Sequence, residues 1–276
     1  MEDFRKIKNK RYSVHSITDR ENLSFSARNY SRFKYGDFKI AQKFGHDLVS
    51  YFVREILPTL NCQNILVFSS PYSYLPTASY HLTNCFLAEL RELNLGLNIS
   101  EGKIDREQTY VEDYGAMSGE ERYNLIKNDT YSIPNQPNQN TTLLFLDDIS
   151  ITGTHQLVVE KLLRDLSISN KATFLYYATL DNNDISPNIE SALNSSAIKT
   201  TEHLTQLVLE GTFKITTRAV KFLLCCPAEE LLKFIQCLSE NKMKHIIKTI
   251  IDGGRKNNYD LIDEYKGNFT LLVDCK

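Results

Sequence analysis

The chain has 276 residues, is 42% hydrophobic and 24% charged, and carries a formal net charge of −2. Those values describe a globular protein with a sizeable core, and they exclude a chain-wide electrostatic attraction to nucleic acid or to an anionic membrane surface. No run of about 18 apolar residues is present, so no spanning helix and no membrane partner are expected.

The start, MEDFRKIKNKR, is polar and lacks the apolar centre of a secretory signal. Residues 1–30 are polar and are expected to be partly mobile. Cysteines stand at 62, 85, 225, 226, 237 and 275 with no C-x-x-C pair, which fits reduced core thiols in a cytoplasmic protein better than a zinc site.

Apolar residues at Ile40, Phe44, Leu48, Tyr51, Phe52 and Ile56 predict a helix that Pro58 ends. Ile65 to Phe68 is a short apolar run bounded by polar residues, the pattern of a strand buried in a parallel sheet. Ala78 to Leu93 reads as an amphipathic helix, and 97–115 as short extended pieces broken by glycines. Ser118, three residues before Glu121, predicts a capped helix to Lys127. A surface loop rich in Asn, Gln and Pro follows. Leu143 to Leu146 is the clearest strand, Thr154 to Leu166 a helix, and Thr173 to Ala178 a second buried strand; this order predicts a parallel sheet. Beyond Asp181 the stretches 187–195, 200–210, 227–239 and 242–252 have helical spacing, with Gly253-Gly254 expected to close the last.

The chemistry concentrates in Leu143-Leu144-Phe145-Leu146-Asp147-Asp148-Ile149-Ser150-Ile151-Thr152-Gly153-Thr154-His155. A buried strand delivers two carboxylates at its carboxyl end, where open α/β sheets bind ligands. A hydroxyl-rich loop then leads into a helix N-terminus, which favours a phosphate. A phosphate loop alone has no use for two adjacent carboxylates, which repel its ligand. A molecule with hydroxyls on one side and a phosphate on the other, such as ribose 5-phosphate, needs both.

This string resembles the signature by which phosphoribosyltransferases bind 5-phosphoribosyl-1-pyrophosphate (PRPP). The acids, Thr152 and Gly153 match in place; Ile151 replaces a threonine and His155 the final one. His155 is open to two readings, donor to the phosphate or cap of the helix. The resemblance implies an α/β fold of the type I phosphoribosyltransferase kind, a Rossmann-like parallel sheet flanked by helices, with an N-terminal hood and a C-terminal helical extension. It assigns Asp147 and Asp148 to catalysis and to Mg²⁺, and Ser150, Ile151, Thr152, Gly153, Thr154 and His155 to the 5′-phosphate. The loop after the first strand, with Ser69, Ser70, Pro71, Tyr72 and Ser73, takes the position of a pyrophosphate loop, with Lys34, Arg106 and Arg122 as cations around the leaving group and Lys103 a weaker candidate.

Phe33-Lys34-Tyr35-Gly36, the stretch from Lys103 to Asn124, and His155-Gln156 resemble the ComF-like branch, the likeness covering most of residues 28–200. The division implied is an N-terminal helical or hood extension at 1–60, a PRPP-binding α/β core at 61–200, and a helical extension packed on it at 201–276. The expected activity is Mg-dependent transfer of the 5-phosphoribosyl group, a pentosyl transfer, from PRPP to a nitrogenous small-molecule acceptor with release of pyrophosphate. The alternative is a PRPP sensor without turnover. Tyr30 to Tyr35 (YSRFKY) has an aromatic and basic pattern that suits base stacking, an acceptor hood or plain packing. The net charge argues against a large nucleic-acid surface. Oligomeric state is left open, a homodimer among the options.

Overall fold

A computed structural model describes residues 9–106 and 131–275. The helix expected over 118–127 lies outside them, and Arg122 and Asn124 with it. Five strands, β1 (Lys10–Ile17), β2 (Asn64–Phe68), β3 (Asn98–Gly102), β6 (Thr141–Ser150) and β7 (Ala172–Leu180), form one sheet in the order β1-β7-β6-β2-β3 with every pairing parallel. A small antiparallel ribbon pairs β4 (Asp105–Arg106) with β5 (Tyr131–Ser132).

The central strands alternate their side chains between two apolar layers, as the two-residue period of a strand requires. Val67, Leu144, Leu146, Leu175 and Tyr177 face one side, where α1 (Ala27–Lys34), α2 (Phe38–Tyr51) and α3 (Ala78–Glu92) supply Phe33, Phe44, Leu48, Leu82 and Phe86. On the other face Phe68, Phe145 and Phe174 stack in a row, with ring centroids 5.0 Å apart at each step. They lie against Val159, Leu162 and Leu163 of α4 (Thr154–Asp165). Both faces are therefore covered, which is why β2 and β6 read as near-continuous apolar runs.

The remaining helices, α5 (Ile189–Asn194), α6 (Thr201–Leu209), α7 (Thr217–Cys225), α8 (Ala228–Gln236), α9 (Glu240–Lys256) and α10 (Asp263–Asp274), follow the last strand. Those from α6 on close around a third apolar cluster containing Leu204, Leu223, Leu231, Phe234, Ile250, Tyr259 and Tyr265. Gly36 joins this cluster to the sheet domain. Its φ is +101°, and a Cβ there would come within 2.0 Å of the Lys214 carbonyl oxygen, so only glycine allows the close approach. Lys214 donates its N–H to the Gly36 carbonyl at 2.8 Å, and Phe38 donates to Thr212 at 3.0 Å.

Several expectations need correction. The polar N-terminal segment is not loose throughout: residues 10–17 add the edge strand β1, whose partner is β7. The first long helix stops at Tyr51 and continues as a wider π-type turn, Phe52–Ile56, before the turn holding Pro58. Gly253 and Gly254 do not end α9, which runs through them to Lys256. A Cβ would strike Leu75 at 2.4 Å from Gly253 and Phe269 at 2.6 Å from Gly254, so these glycines serve close packing rather than termination. Of the six cysteines only Cys85 is buried, and Cys225 and Cys237 are exposed.

Candidate functional site

Asp147 and Asp148 are the seventh and eighth residues of β6, which continues to Ser150. The apolar run thus predicts the strand but not its end: the acids lie within it, at 8% and 4% exposure. Burying two adjacent carboxylates is costly unless each is paired, and each has its own set of donors. Asp147 accepts from the Ser70 hydroxyl and, at 2.9 Å, from the Asp148 amide. His155 Nδ1 stands 3.2 Å from its other oxygen. Asp148 Oδ2 accepts from the Tyr30 phenol and from Lys34 Nζ, both at 2.6 Å.

These partners separate the two acids electrostatically. Burial pushes Asp147 up, but the contacts with His155, Asp148 and Ser70 more than reverse it, and its carboxyl lies below the usual range. Burial also pushes Asp148 up; Lys34 offsets part of this and the Asp147 charge adds to it, so that Asp148 lies above the usual range. Two carboxyls in contact cannot both ionise freely, and of the two it is Asp148 that takes up a proton first as pH falls. Burial, followed by the Asp148 charge, holds the Tyr30 phenol well above its ordinary value, so it remains a donor.

Beyond Ser150, Gly153 adopts a left-handed φ of +71° and serves as the N-cap of α4 without a side-chain cap. Gly153 offers the first turn of α4 no side-chain cap, and a helix start of that kind suits a phosphate. Thr152 and Thr154 hydroxyls pair at 2.7 Å. Ser150, Ile151, Thr152, Gly153, Thr154 and His155 line one small cavity of about 140 Å³ together with both acids, Lys34, Tyr176, Glu190 and Arg218. His155 sits in the first turn with its side chain 53% exposed and turned toward Asp147. It stands at the second helical position, one residue beyond the helix start, and the N-cap is Gly153.

A larger chamber of about 800 Å³ adjoins the acids. Ser70, Pro71, Tyr72 and Ser73 line it, as do Lys34 and Arg106. Arg106 is placed there because β4 bridges to the loop, Asp105 to Tyr72. Ser69 does not line the chamber; it is buried, and its hydroxyl turns back to the Ser70 carbonyl. Lys103 is tied to Asp105 and lies 4.9 Å above the Tyr72 ring. Of the YSRFKY segment, Tyr30, Phe33 and Tyr35 are buried in the apolar clusters. These rings pack mainly in the core; the segment reaches the site through the Tyr30 hydroxyl, Lys34 and Tyr35, which borders the chamber.

Sequence reasoning missed the opposite wall of the chamber. Thr217, Arg218, Lys221, Phe222 and Cys225 come from α7, and Asn257, Tyr259, Asp263, Glu264 and Tyr265 from the α9–α10 region. The alternation of cations on α7 at i and i+3 was the one available signal, and it is weak. Burial first, then Glu264, pushes the Cys225 thiol up to about 11, so it stays a neutral donor, 3.6 Å from the Glu264 carboxylate.

Among the described residues no group of three or more His, Cys, Asp and Glu could hold a metal by itself. The donor set nevertheless fits Mg²⁺, which takes one or two protein carboxylates and completes its shell with water and substrate phosphates. No helix of the described residues is long and apolar enough to cross a membrane.

Ligands of open α/β sheets lie at the carboxyl ends of the strands, beside helix N-termini, and this site has that form. The chain belongs to the PRTase ComF-like family, whose model matches residues 8–272. That span exceeds the 28–200 over which the signature stretches resemble the branch, and it takes in both β1 and the C-terminal helices. The parallel sheet flanked by helices is the type I phosphoribosyltransferase architecture that the signature implies. No curated protein matches the chain significantly. Among solved structures, a hypoxanthine phosphoribosyltransferase from Staphylococcus aureus matches at 9% identity and a TM-score of 0.31, over 58% of this chain and 77% of that one. The hypoxanthine phosphoribosyl transferase of Trypanosoma cruzi matches at 12% identity and a TM-score of 0.32, over 59% and 79%. Likenesses this remote transfer no residue roles.

Proposed function

We propose that this protein binds PRPP with Mg²⁺ and transfers its 5-phosphoribosyl group to a nitrogenous acceptor. The observation that carries the reading is the buried Asp147–Asp148 pair between an uncapped helix start on one side and the Ser70–Ser73 loop on the other. The first-turn N–H groups of α4 and the loop hydroxyls hold the 5′-phosphate. Ser70, Tyr72, Ser73, Arg106 and Lys34 surround the pyrophosphate. The two acids accept from the ribose hydroxyls and share the metal. Mg²⁺, when bound, neutralises charge on the departing pyrophosphate.

In the reaction an acceptor nitrogen forms a bond to C1 as the bond from C1 to the pyrophosphate oxygen breaks. The electron pair leaves with pyrophosphate, and the acceptor nitrogen gives its proton to solvent. Positive charge develops on the ribose ring, and in this reading the ionised Asp147 stabilises that charge. Most of the acceleration then comes from positioning and from preorganised charge. The chamber's C-terminal wall, with acids, cations and tyrosine edges, receives the acceptor.

A mass-spectrometric screen of PRPP, Mg²⁺ and a library of nitrogenous bases, with pyrophosphate release measured in parallel, tests this reading. Ribosylated product with stoichiometric pyrophosphate is the expected result. Saturable PRPP binding without release for any acceptor would favour a sensor instead.

A further inference from the structure

The phosphate loop lacks a hydroxyl at two positions where the signature it resembles has threonine, Ile151 and His155, and carries its hydroxyls at Ser150, Thr152 and Thr154 instead. Its cavity is also walled by three carboxylates, those of Asp147, Asp148 and the buried Glu190. An anion entering it meets more negative charge than one helix N-terminus offsets, since that end is equivalent to only about half a positive charge. A cation must compensate. Two long cationic side chains line the cavity, Lys34 and Arg218; Lys34 pairs with Asp148, and Arg218 also has interactions within the protein.

Arg218 belongs to α7, far along the chain from the loop, and lines both the loop cavity and the large chamber. The helix start just before it is anchored by hydrogen bonds from Thr216 and Thr217. The Thr216 hydroxyl donates to the Lys34 carbonyl at 3.0 Å and accepts from the Ala219 N–H at 3.2 Å. Thr217 donates its N–H to Pro76 and its hydroxyl to Leu75. The start of α7 is thereby stitched to the end of α1 and to the loop after β2, the two segments that carry Lys34 and Ser70. Guanidinium presents five donors in a planar fork, so it can serve a protein carboxylate and a phosphate at once.

We infer that Arg218 is a ligand of the phosphate group seated in the Ser150–His155 loop, so that the C-terminal helices supply a charge that the signature segment lacks. The ligand chemistry is a phosphate monoester, and its identification as the 5′-phosphate of PRPP rests on the function proposed above. The C-terminal helices are then part of the binding machinery and not only a cover over the acceptor.

Calorimetric titration of ribose 5-phosphate and, separately, of inorganic pyrophosphate into the wild-type protein, Arg218→Gln and Arg218→Lys tests the inference. Arg218→Gln should weaken ribose 5-phosphate by about tenfold or more, because a charge-assisted bidentate contact is lost. Arg218→Lys, which keeps the charge without the fork, should fall between the two. Pyrophosphate affinity should change by less than about twofold. Should Arg218→Gln fail to fold, as judged by its melting curve, the lysine variant carries the comparison. Equal ribose 5-phosphate affinity in wild type and variant would overturn this inference alone, as would a loss confined to pyrophosphate. A wild-type protein that binds neither compound would overturn the proposed function and this inference together.

Discussion

The two walls of the chamber are built in opposite ways. The sheet wall takes Asp147, Asp148 and the loop to His155 from one continuous segment, where chain order and spatial order coincide. The helical wall takes Arg218 and Lys221 from α7 and Asn257, Tyr259 and Tyr265 from a region about forty residues later, brought together by the packing of a separate apolar cluster. The first wall depends on local backbone geometry and the second on long-range burial, and perturbations should distinguish them.

The largest effect should come from removing the second wall altogether. Tyr259, Tyr265, Leu204 and Ile250 are fully buried in the C-terminal cluster, and each large apolar side chain lost from a core costs about 2–5 kcal/mol. A few such losses equal the entire stability of a typical domain. A chain ending at residue 200 should fail to give a cooperative melting transition; a soluble truncation with unchanged melting would show that the walls fold independently.

Point substitutions sharpen the same question. Phe86 and Phe234 are buried to similar extents, one in the sheet cluster and one in the helical cluster. Phe86→Ala and Phe234→Ala should each cost about 3–5 kcal/mol. Because Gly36, Lys34 and Pro76 are all hydrogen-bonded to residues 214–217, each variant should still unfold in one urea transition. Two separated transitions would mean that the walls are not one cooperative unit.

Within the first wall, Asp148→Asn should weaken PRPP by about tenfold, roughly 1.4 kcal/mol. It should also change how stability responds to pH. Burial raises the Asp148 carboxyl despite Lys34, so the folded protein holds a proton that the unfolded chain releases. That contribution is fully present below the ordinary aspartate range and is lost as pH rises through the raised folded value. Urea midpoints from about pH 4 to 7 should therefore fall more steeply with rising pH in the wild type than in Asp148→Asn. Parallel curves would mean that Asp148 ionises normally. The smallest effect on PRPP affinity is expected for Tyr30→Phe, which removes one hydrogen bond to a buried acid. A cost of about 1.5–3 kcal/mol in stability, with a several-fold loss of PRPP affinity, would mark Tyr30 as the residue that positions Asp148. Unchanged affinity would leave it a core tyrosine.

The contrast also explains what the sequence made legible. Ile65 to Phe68 and Leu143 to Leu146 announce the parallel sheet because strands buried on both faces leave apolar runs. Asp147 to His155 announces the site because its geometry is written in consecutive residues. The extent of β6 through Ser150 was hidden, since polar residues can stay in a buried strand only when remote partners satisfy them, and Tyr30, Lys34 and Ser70 are remote in sequence. β1 was hidden for a related reason: an edge strand needs only one covered side, and its residues are mostly half-buried or exposed. Gly253 and Gly254 misled because close helix packing and helix termination both call for glycine. Arg218 carries only the weak mark of a second cation three residues on, Lys221, and the tyrosines of the helical wall carry none.

The most direct measurement is a calorimetric titration of PRPP with Mg²⁺ into the wild-type protein and Asp147→Asn, with melting temperatures recorded on the same samples. Wild type should bind one PRPP saturably, and at about 100 times the dissociation constant the ligand should add roughly 2.7 kcal/mol of stability. Asp147→Asn should lose most of both signals while keeping its unliganded fold. No heat and no thermal shift in the wild type at about millimolar PRPP, a concentration that corresponds to only about 4.1 kcal/mol of binding free energy, would contradict the account.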